Sequence, residues 1–169
     1  MNVYLHILIV VQLNSMKQKY NTNKLLIPHP GLAEVLRYIV LQADTSVNYC
    51  IDRFGTNNTI ADIWQIGKSR LIYKNDHPQI EQIQSVQTLF ENNIHNIPGA
   101  GDCDCFTVFT IAMLKASKHD IKKISIYLQG NNNKTPSHVL TDCNGVKIDF
   151  TQPSVDSIRK YNFYDIIKI

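Results

Sequence analysis

The sequence feature that most constrains the fold is an apolar segment, Phe106–Leu114, which follows the short motif Gly99–Cys105. The segment is long enough for about three turns of helix, and its apolar residues fall on nearly every side of that helix. A helix with this composition is buried all round. We therefore predict a central helix that begins at Cys103 and runs through the middle of the domain.

The motif before this helix carries the strongest chemical signal in the chain. Gly99 and Gly101 predict a flexible approach, and an acid and a thiol, Asp102 and Cys103, follow them. A thiol in the first turn of a helix lies at the positive end of the macrodipole, which favours the thiolate. Cys103 is therefore the candidate nucleophile. Cys105, two residues further on, is expected to lie in the core.

Composition supports one globular domain. Of the 169 residues 44% are hydrophobic, which is enough for a core, and the net charge of +3 is too weak to indicate nucleic-acid binding. The four cysteines are expected to be reduced, with Cys50 and Cys143 as packing residues. Residues 1–13 are apolar but too short to span a bilayer, and they lack the flanks of a signal peptide, so they predict a strand or a short helix.

Helical patterns come first along the chain and strand patterns later, which is typical of an α+β domain. Besides the central helix, the predicted helices are 31–41, 45–54, 60–71 (with Thr59 as its N-cap) and 83–90. The predicted loops are 14–30 (with Leu25–Ile27 attached to the core), 73–78 and 92–101. A strand at 124–128 and a hairpin at 138–151 follow. Residues 1–35 are expected to form an N-terminal extension and residues 36–169 the main domain.

The hairpin places a histidine beside a carboxylate. Asn144–Gly145 is the preferred two-residue type I′ turn, so the register of the flanking strands can be worked out. His138 then lies diagonal to Asp149 at the roughly 7–8 Å typical of such neighbours, which their side chains can span. An imidazole oriented by a carboxylate is what a general base requires. With Cys103 the pair would form a Cys-His-Asp triad whose resting state is a thiolate–imidazolium pair.

These motifs resemble those of the transglutaminase-like cysteine protease superfamily. The resemblance rests on Gly101–Asp104 before an apolar helix, on Ser137–Val139 and on Asp149–Thr151, where the family has G-D-C-D-D, H-V and D-x-T. Tyr73–Asp76 and Gln82–Ser85 are similar to two further segments of phage and bacterial members. The resemblance covers about residues 36–153.

The resemblance implies a papain-like α+β fold in which a central buried helix packs on an antiparallel sheet. It implies that Cys103 is the nucleophile, His138 the base and Asp149 the group that orients the base. The implied activity is that of a peptidase, amidase or acyl transferase without a cofactor, acting on a peptide or protein. Phage structural proteins are the implied partners, with no nucleic acid or membrane, and the implied location is a bacterial cytoplasm or a phage virion rather than the exterior.

Other interpretations stay open from the residues alone. Gln84 is either an oxyanion donor, as in papain-like enzymes, or a solvated helix residue, and the backbone amide of Cys103 is the alternative donor. Cys105 stands where the family has a second acid, so a second hypothesis is an inactive module of a phage particle or assembly. A third is a zinc site, disfavoured because the hairpin register places Cys143 on the face opposite His138. Its ligands would be Cys103, Cys105, His138 and Cys143.

Overall fold

The fold combines α-helices with an antiparallel sheet, as the order of the sequence patterns predicts. The computed structural model describes residues 24–28, 31–76, 80–91, 93, 95–131 and 136–169, with only the backbone described at 24–28 and 80. The apolar element predicted at 1–13 lies outside these residues. None of the helices in the described part of the chain has both the length and the apolar character needed to cross a bilayer.

The helices begin and end largely where the sequence predicts. Those described are α1 (Leu32–Phe54), α2 (Ile60–Arg70), α3 (Val86–Glu91) and α4 (Cys103–Ala116). Thr59 is the N-cap of α2, as predicted, and it forms a capping box with Asp62. However, α1 is one helix of 23 residues where two were predicted. The hydroxyls of Thr45 and Ser46 donate to the Gln42 carbonyl inside this helix instead of capping a new one.

Two short strand pairs flank the helices, and the sequence patterns missed both. β1 (Lys24–Pro28) pairs antiparallel with β3 (Ile80–Gln84), and β2 (Ile72–Tyr73) pairs parallel with β4 (Ala100–Gly101). The loop prediction for 24–28 and the helix prediction at Ile83 were therefore wrong. Each strand is completed by hydrogen bonds to a partner far away in sequence, which a local pattern does not show.

The main sheet has four strands in the order β7-β6-β5-β8, all antiparallel. They are β5 (Ile124–Gly130), β6 (His138–Cys143), β7 (Val146–Ile148) and β8 (Phe163–Lys168). The predicted hairpin register is confirmed, because Cys143 pairs with Val146 and the turn residues Asn144 and Gly145 have φ of 55° and 88°. β8 was not predicted.

The central helix α4 is buried as predicted. All of its residues except Cys103 and Lys115 are buried, and it packs against α1 on one side and β6 on the other. Phe109 lies at its middle and makes edge-to-face contacts with Phe54, Phe90 and Phe150. Because helices and sheet both pack on α4, its first residue is held in a fixed position relative to β6.

Candidate active site

Cys103 is the first residue of α4 and lines a cavity of about 440 Å³. Its own backbone N–H and that of Val139 on β6 point at the thiol. Part of the cavity wall is apolar and comes from α1, through Leu32, Leu36 and neighbouring residues. Leu32 belongs to the predicted N-terminal extension, so the extension forms part of this wall, and β1 of the extension pairs with β3 of the main domain.

The segment before Cys103 is closely packed at both glycines, which were predicted to form a flexible approach. Gly99 has a φ of 80°, and a Cβ on it would lie 2.1 Å from the carbonyl oxygen of Arg70. Gly101 lies in β4, and a Cβ there would lie 2.8 Å from the Cβ of Cys105. Contacts this close exclude any side chain, so the glycines permit tight packing of the strand before the helix.

His138 and Asp149, hereafter the histidine pair, are in contact as the hairpin register predicts. Nε2 of His138 lies 2.8 Å from Oδ2 of Asp149, and both side chains are buried. His138 lines the same cavity as Cys103, and Asp149 lines a small void that also contacts Cys103. Since Nε2 is bound to the carboxylate, Nδ1 is the ring nitrogen left to exchange a proton.

The carboxylate of Asp149 is held by further contacts. Its Oδ1 accepts hydrogen bonds from the backbone N–H of Thr151 at 2.9 Å and from the Thr151 hydroxyl at 2.7 Å. Burial by itself would raise the pKa of Asp149, but the hydrogen bond and charge of His138, with the Thr151 hydrogen bonds, bring the pKa below its usual value. Asp149 is therefore an ionised acceptor at neutral pH.

Two contacts around the histidine pair were not predicted from sequence. Lys68 of α2 donates to the carbonyls of Phe150 and Gln152 at 3.0 and 3.1 Å, which fixes the segment that follows Asp149. Tyr161 stacks on His138 with ring centroids 6.4 Å apart. Neither contact could be predicted from the residues next to Lys68 or Tyr161 in the sequence.

The thiol of Cys103 is protonated at neutral pH, contrary to the resting thiolate expected from the helix dipole. Burial, followed by the negative charge of Asp102, raises the pKa of Cys103 to about 12, and Glu81 adds to the effect. The N–H groups of Val139 and Cys103 lower this pKa but do not offset the increase. The two nearby carboxylates and the loss of water therefore raise the pKa of the thiol more than the helix N-terminus lowers it.

Gln84 does not line the cavity. It ends β3, is fully buried, and its Nε2 lies 3.4 Å from the Ala100 carbonyl and 3.8 Å from the Cys105 sulfur. This position does not support the predicted role as oxyanion donor, and Gln84 is not a solvated helix residue either. The backbone N–H of Cys103, which points toward the reacting thiol, is better placed to bind an oxyanion.

The remaining cysteines are buried, as predicted. The Cys105 thiol donates to the Gln82 carbonyl at 3.1 Å, which ties α4 to β3. Cys50 and Cys143 are buried and unpaired. The four residues of the zinc hypothesis are all described, and their ligand atoms do not converge.

The charged side of the cavity carries an acidic cluster, defined here as Asp76, Glu81, Asp102 and Asp104. Glu81, Asp102 and Asp104 line the cavity directly. Burial and the charge of Asp102 raise the pKa of Asp76 to about 8, and burial with neighbouring acids raises that of Asp104 strongly. The sequence pattern marked Asp76 and Asp102 as parts of separate motifs but did not indicate that they meet.

Comparison of this chain with protein-family models, curated proteins and solved structures found no match.

Proposed function

We propose that this chain is a transglutaminase-like cysteine hydrolase with a papain-like arrangement of helix and sheet, which transfers amide acyl groups through Cys103. The observation that carries this proposal is the shared cavity. Cys103 at the start of α4 and His138 at the start of β6 both line it, and His138 is bound to Asp149 at 2.8 Å.

In the proposed reaction, Nδ1 of His138 accepts the thiol proton as the sulfur of Cys103 bonds to the substrate carbonyl carbon. The oxyanion of the tetrahedral intermediate is bound by the backbone N–H of Cys103. The C–N bond then breaks, and the imidazolium gives its proton to the leaving amine, which leaves a thioester on Cys103. Water or a second amine attacks the thioester with His138 as base, which restores the thiol.

Asp149 acts through His138 in this scheme. Its ionised carboxylate fixes the ring orientation and stabilises the imidazolium that forms when the thiol loses its proton. Because the Cys103 pKa is raised in the free protein, proton transfer to His138 has to accompany attack rather than precede it.

The cavity supports a peptide or protein substrate. Its volume of about 440 Å³ accommodates side chains around the scissile bond, and the α1 wall suits an apolar one. The similarity of Gln82–Ser85 to phage and bacterial segments supports a substrate in a phage particle or its bacterial host.

Acetyl transfer from p-nitrophenyl acetate tests the proposal without knowledge of the natural substrate. We expect one acetyl group on Cys103, detected by intact mass and peptide mapping, and no acetylation of that site in Cys103→Ala. Cys143→Ser is the matched control, because it alters a buried thiol at the far end of β6.

Two results would count against a catalytic role. The first is acetylation of Cys103 no faster than that of the other cysteines in unfolded protein. The second is acetylation at Cys103 that is independent of His138. Either result would favour the inactive-module hypothesis for the same fold.

A further inference from the structure

A second cavity, of about 320 Å³, lies against the strands β5 and β8. We call it the aromatic cavity, after the aromatic side chains that line it, which are Tyr127, Tyr161, Phe163 and Tyr164. Its other polar and charged lining residues are Gln129, Arg159 and Lys160, and no acidic residue of the described chain lines it. It shares no lining residue with the cavity of Cys103, which carries the acidic cluster.

Two stacked tyrosine rings form a flat wall of the aromatic cavity. The rings of Tyr127 and Tyr164 have their centroids 5.7 Å apart and their planes within 9° of parallel. Nζ of Lys147 lies 5.4 Å from the centroid of Tyr127, and the strand order places Lys147 and Tyr164 on opposite sides of that ring. Since Tyr164 is 65% exposed, its outer face is open to a further aromatic ring, which would stack on it with an offset.

Arg159 and Lys160 give the aromatic cavity a positive charge. Both residues are exposed, and neither forms an ion pair with a residue that the structure describes. The backbone of this segment is held in place, because Nε2 of Gln129 donates to the Arg159 carbonyl at 3.1 Å and the ring of Tyr161 stacks on His138. Two adjacent cations on a fixed segment suit a carboxylate ligand.

Gln129 provides a hydrogen-bond acceptor that lacks a donor. Its side chain is 2% exposed, and Oε1 is buried and accepts no hydrogen bond from a described residue. The bond from Nε2 to the Arg159 carbonyl fixes the orientation of the amide, since the reverse orientation would place two oxygens against each other. A buried acceptor normally has a donor, and an N–H group of a ligand in this cavity is such a donor.

We propose that the aromatic cavity binds the C-terminal residue of a peptide when that residue is aromatic. Its ring stacks on Tyr164, its carboxylate binds Arg159 and Lys160, and its backbone N–H donates to Gln129. A free aromatic amino acid fits less well, because its ammonium group would lie beside two cations in a cavity that no described acid lines. Tyr161 also contacts His138, so a peptide end bound here lies next to the histidine pair.

Titration of the ¹⁵N-labelled protein with N-acetyl-L-phenylalanine, followed by NMR, tests this site. This ligand carries the ring, the carboxylate and the N–H, and we expect saturable shifts with a Kd of about 1 mM or below. Three matched ligands each change one group: the amide of N-acetyl-L-phenylalanine lacks the carboxylate, N-acetyl-L-alanine lacks the ring, and L-phenylalanine has an ammonium in place of the acylated N–H. Each should bind about tenfold more weakly.

Variants of the exposed lining residues assign the binding to this cavity. Arg159→Gln and Tyr164→Ala should each weaken the binding of N-acetyl-L-phenylalanine by about tenfold. Lys168→Gln and Ile166→Ala are the matched controls, because both residues are exposed on β8 and neither lines the cavity. Thermal denaturation checks that each variant is folded.

Four results would overturn the proposal. The first is the absence of saturable shifts up to about 10 mM ligand, and the second is unchanged affinity in both cavity variants. The third is equal affinity for the amide, which would show that no carboxylate is recognised. The fourth is equal or tighter binding of L-phenylalanine, which would indicate a site for the free amino acid. Failure of acetyl transfer at Cys103 would leave a positive result intact, since binding is measured without turnover.

Discussion

The histidine pair and the acidic cluster both contribute residues to the cavity that Cys103 lines, and their buried carboxylates are in opposite environments. In the pair, both Asp149 oxygens have partners among His138 and Thr151. In the cluster, one buried oxygen each of Asp76, Asp102 and Asp104 accepts no N–H from a described residue, and the carboxyl of Asp104 lies against those of Asp102 and Glu81. The pKa of Asp149 is lowered, whereas those of Asp76 and Asp104 are raised.

This difference shows how the surroundings of a buried carboxylate set its protonation state. A carboxylate with opposite charge and donors around it is stable as the ion and orients its partner. Carboxylates that face each other are stable only when protonated or when they bind a cation. The histidine pair is thus preorganised for proton transfer, while Asp76 and Asp104 of the cluster keep their protons at a pH where Asp149 is ionised. Four measurements test this contrast.

The largest effect is expected from removing the histidine of the pair. In His138→Gln, acetylation of Cys103 by p-nitrophenyl acetate should slow by about 10²- to 10⁴-fold, the usual contribution of a general base. His119→Gln is the control, because His119 contacts the Asn58 carbonyl away from the cavity. Equal rates in the two variants would show that the pair does not act on the thiol.

Alkylation of Cys103 tests how the cluster affects the thiol. Because burial and Asp102 raise the Cys103 pKa to about 12, its rate with iodoacetamide should rise about tenfold per pH unit through the neutral and mildly alkaline range. Asp102→Asn should shift this curve to lower pH by removing a negative charge. A plateau near pH 7 in the wild type would instead indicate a resting thiolate.

A substitution in α2 tests the packing of the residue that follows the histidine pair in the chain. A Cβ on Gly67 of α2 would lie 2.2 Å from the ring of Phe150, the residue after Asp149. Gly67→Ala should reduce the free energy of unfolding by about 2 kcal/mol, as overpacking does. Gly31→Ala is the matched control, since no atom lies within 4 Å of a Cβ there. Thermal denaturation measures both, and an unchanged Tm in Gly67→Ala would contradict the packing described.

The smallest effect is expected from neutralising one member of the cluster. Asp76→Asn should stabilise the protein by about 1 kcal/mol, the size of an ordinary single-site effect. The folded-state pKa of Asp76 is raised from 3.8 to about 8, so the wild type loses stability as the pH rises between these two values, and the loss is complete above about pH 8. The gain in Tm should therefore be larger at pH 9 than at pH 6. A gain independent of pH, or a loss, would contradict the repulsion inferred for this cluster.

Sequence patterns correctly predicted the features that depend on residues close together in the chain. The burial of α4, the capping box at Thr59 and the Asn144–Gly145 turn each depend on neighbours within a few residues. The contact between His138 and Asp149 followed from the same turn, because a two-residue loop fixes the register of both strands.

Sequence patterns did not predict the contacts between residues that are far apart in the chain. The last two residues of β3, Ile83 and Gln84, were predicted to start a helix because their pairing with β1 cannot be seen in the segment itself. Gln84 was predicted to be either an oxyanion donor or a solvated helix residue, but β3 directs its side chain to Cys105 and the Ala100 carbonyl. Lys68 reaches the segment after Asp149 from more than 80 residues away.

Helix periodicity and turn geometry are properties of short segments, so they were enough to predict that a thiol starts a buried helix and that a histidine meets a carboxylate. The protonation state of that thiol, in contrast, depends on how the chain packs. The helix terminus alone favours a thiolate, but folding removes water and brings Asp102 and Glu81 close to the sulfur, and these effects raise its pKa. The convergence of Asp76, Glu81 and Asp102 has the same origin, because it depends on how three segments pack around α4.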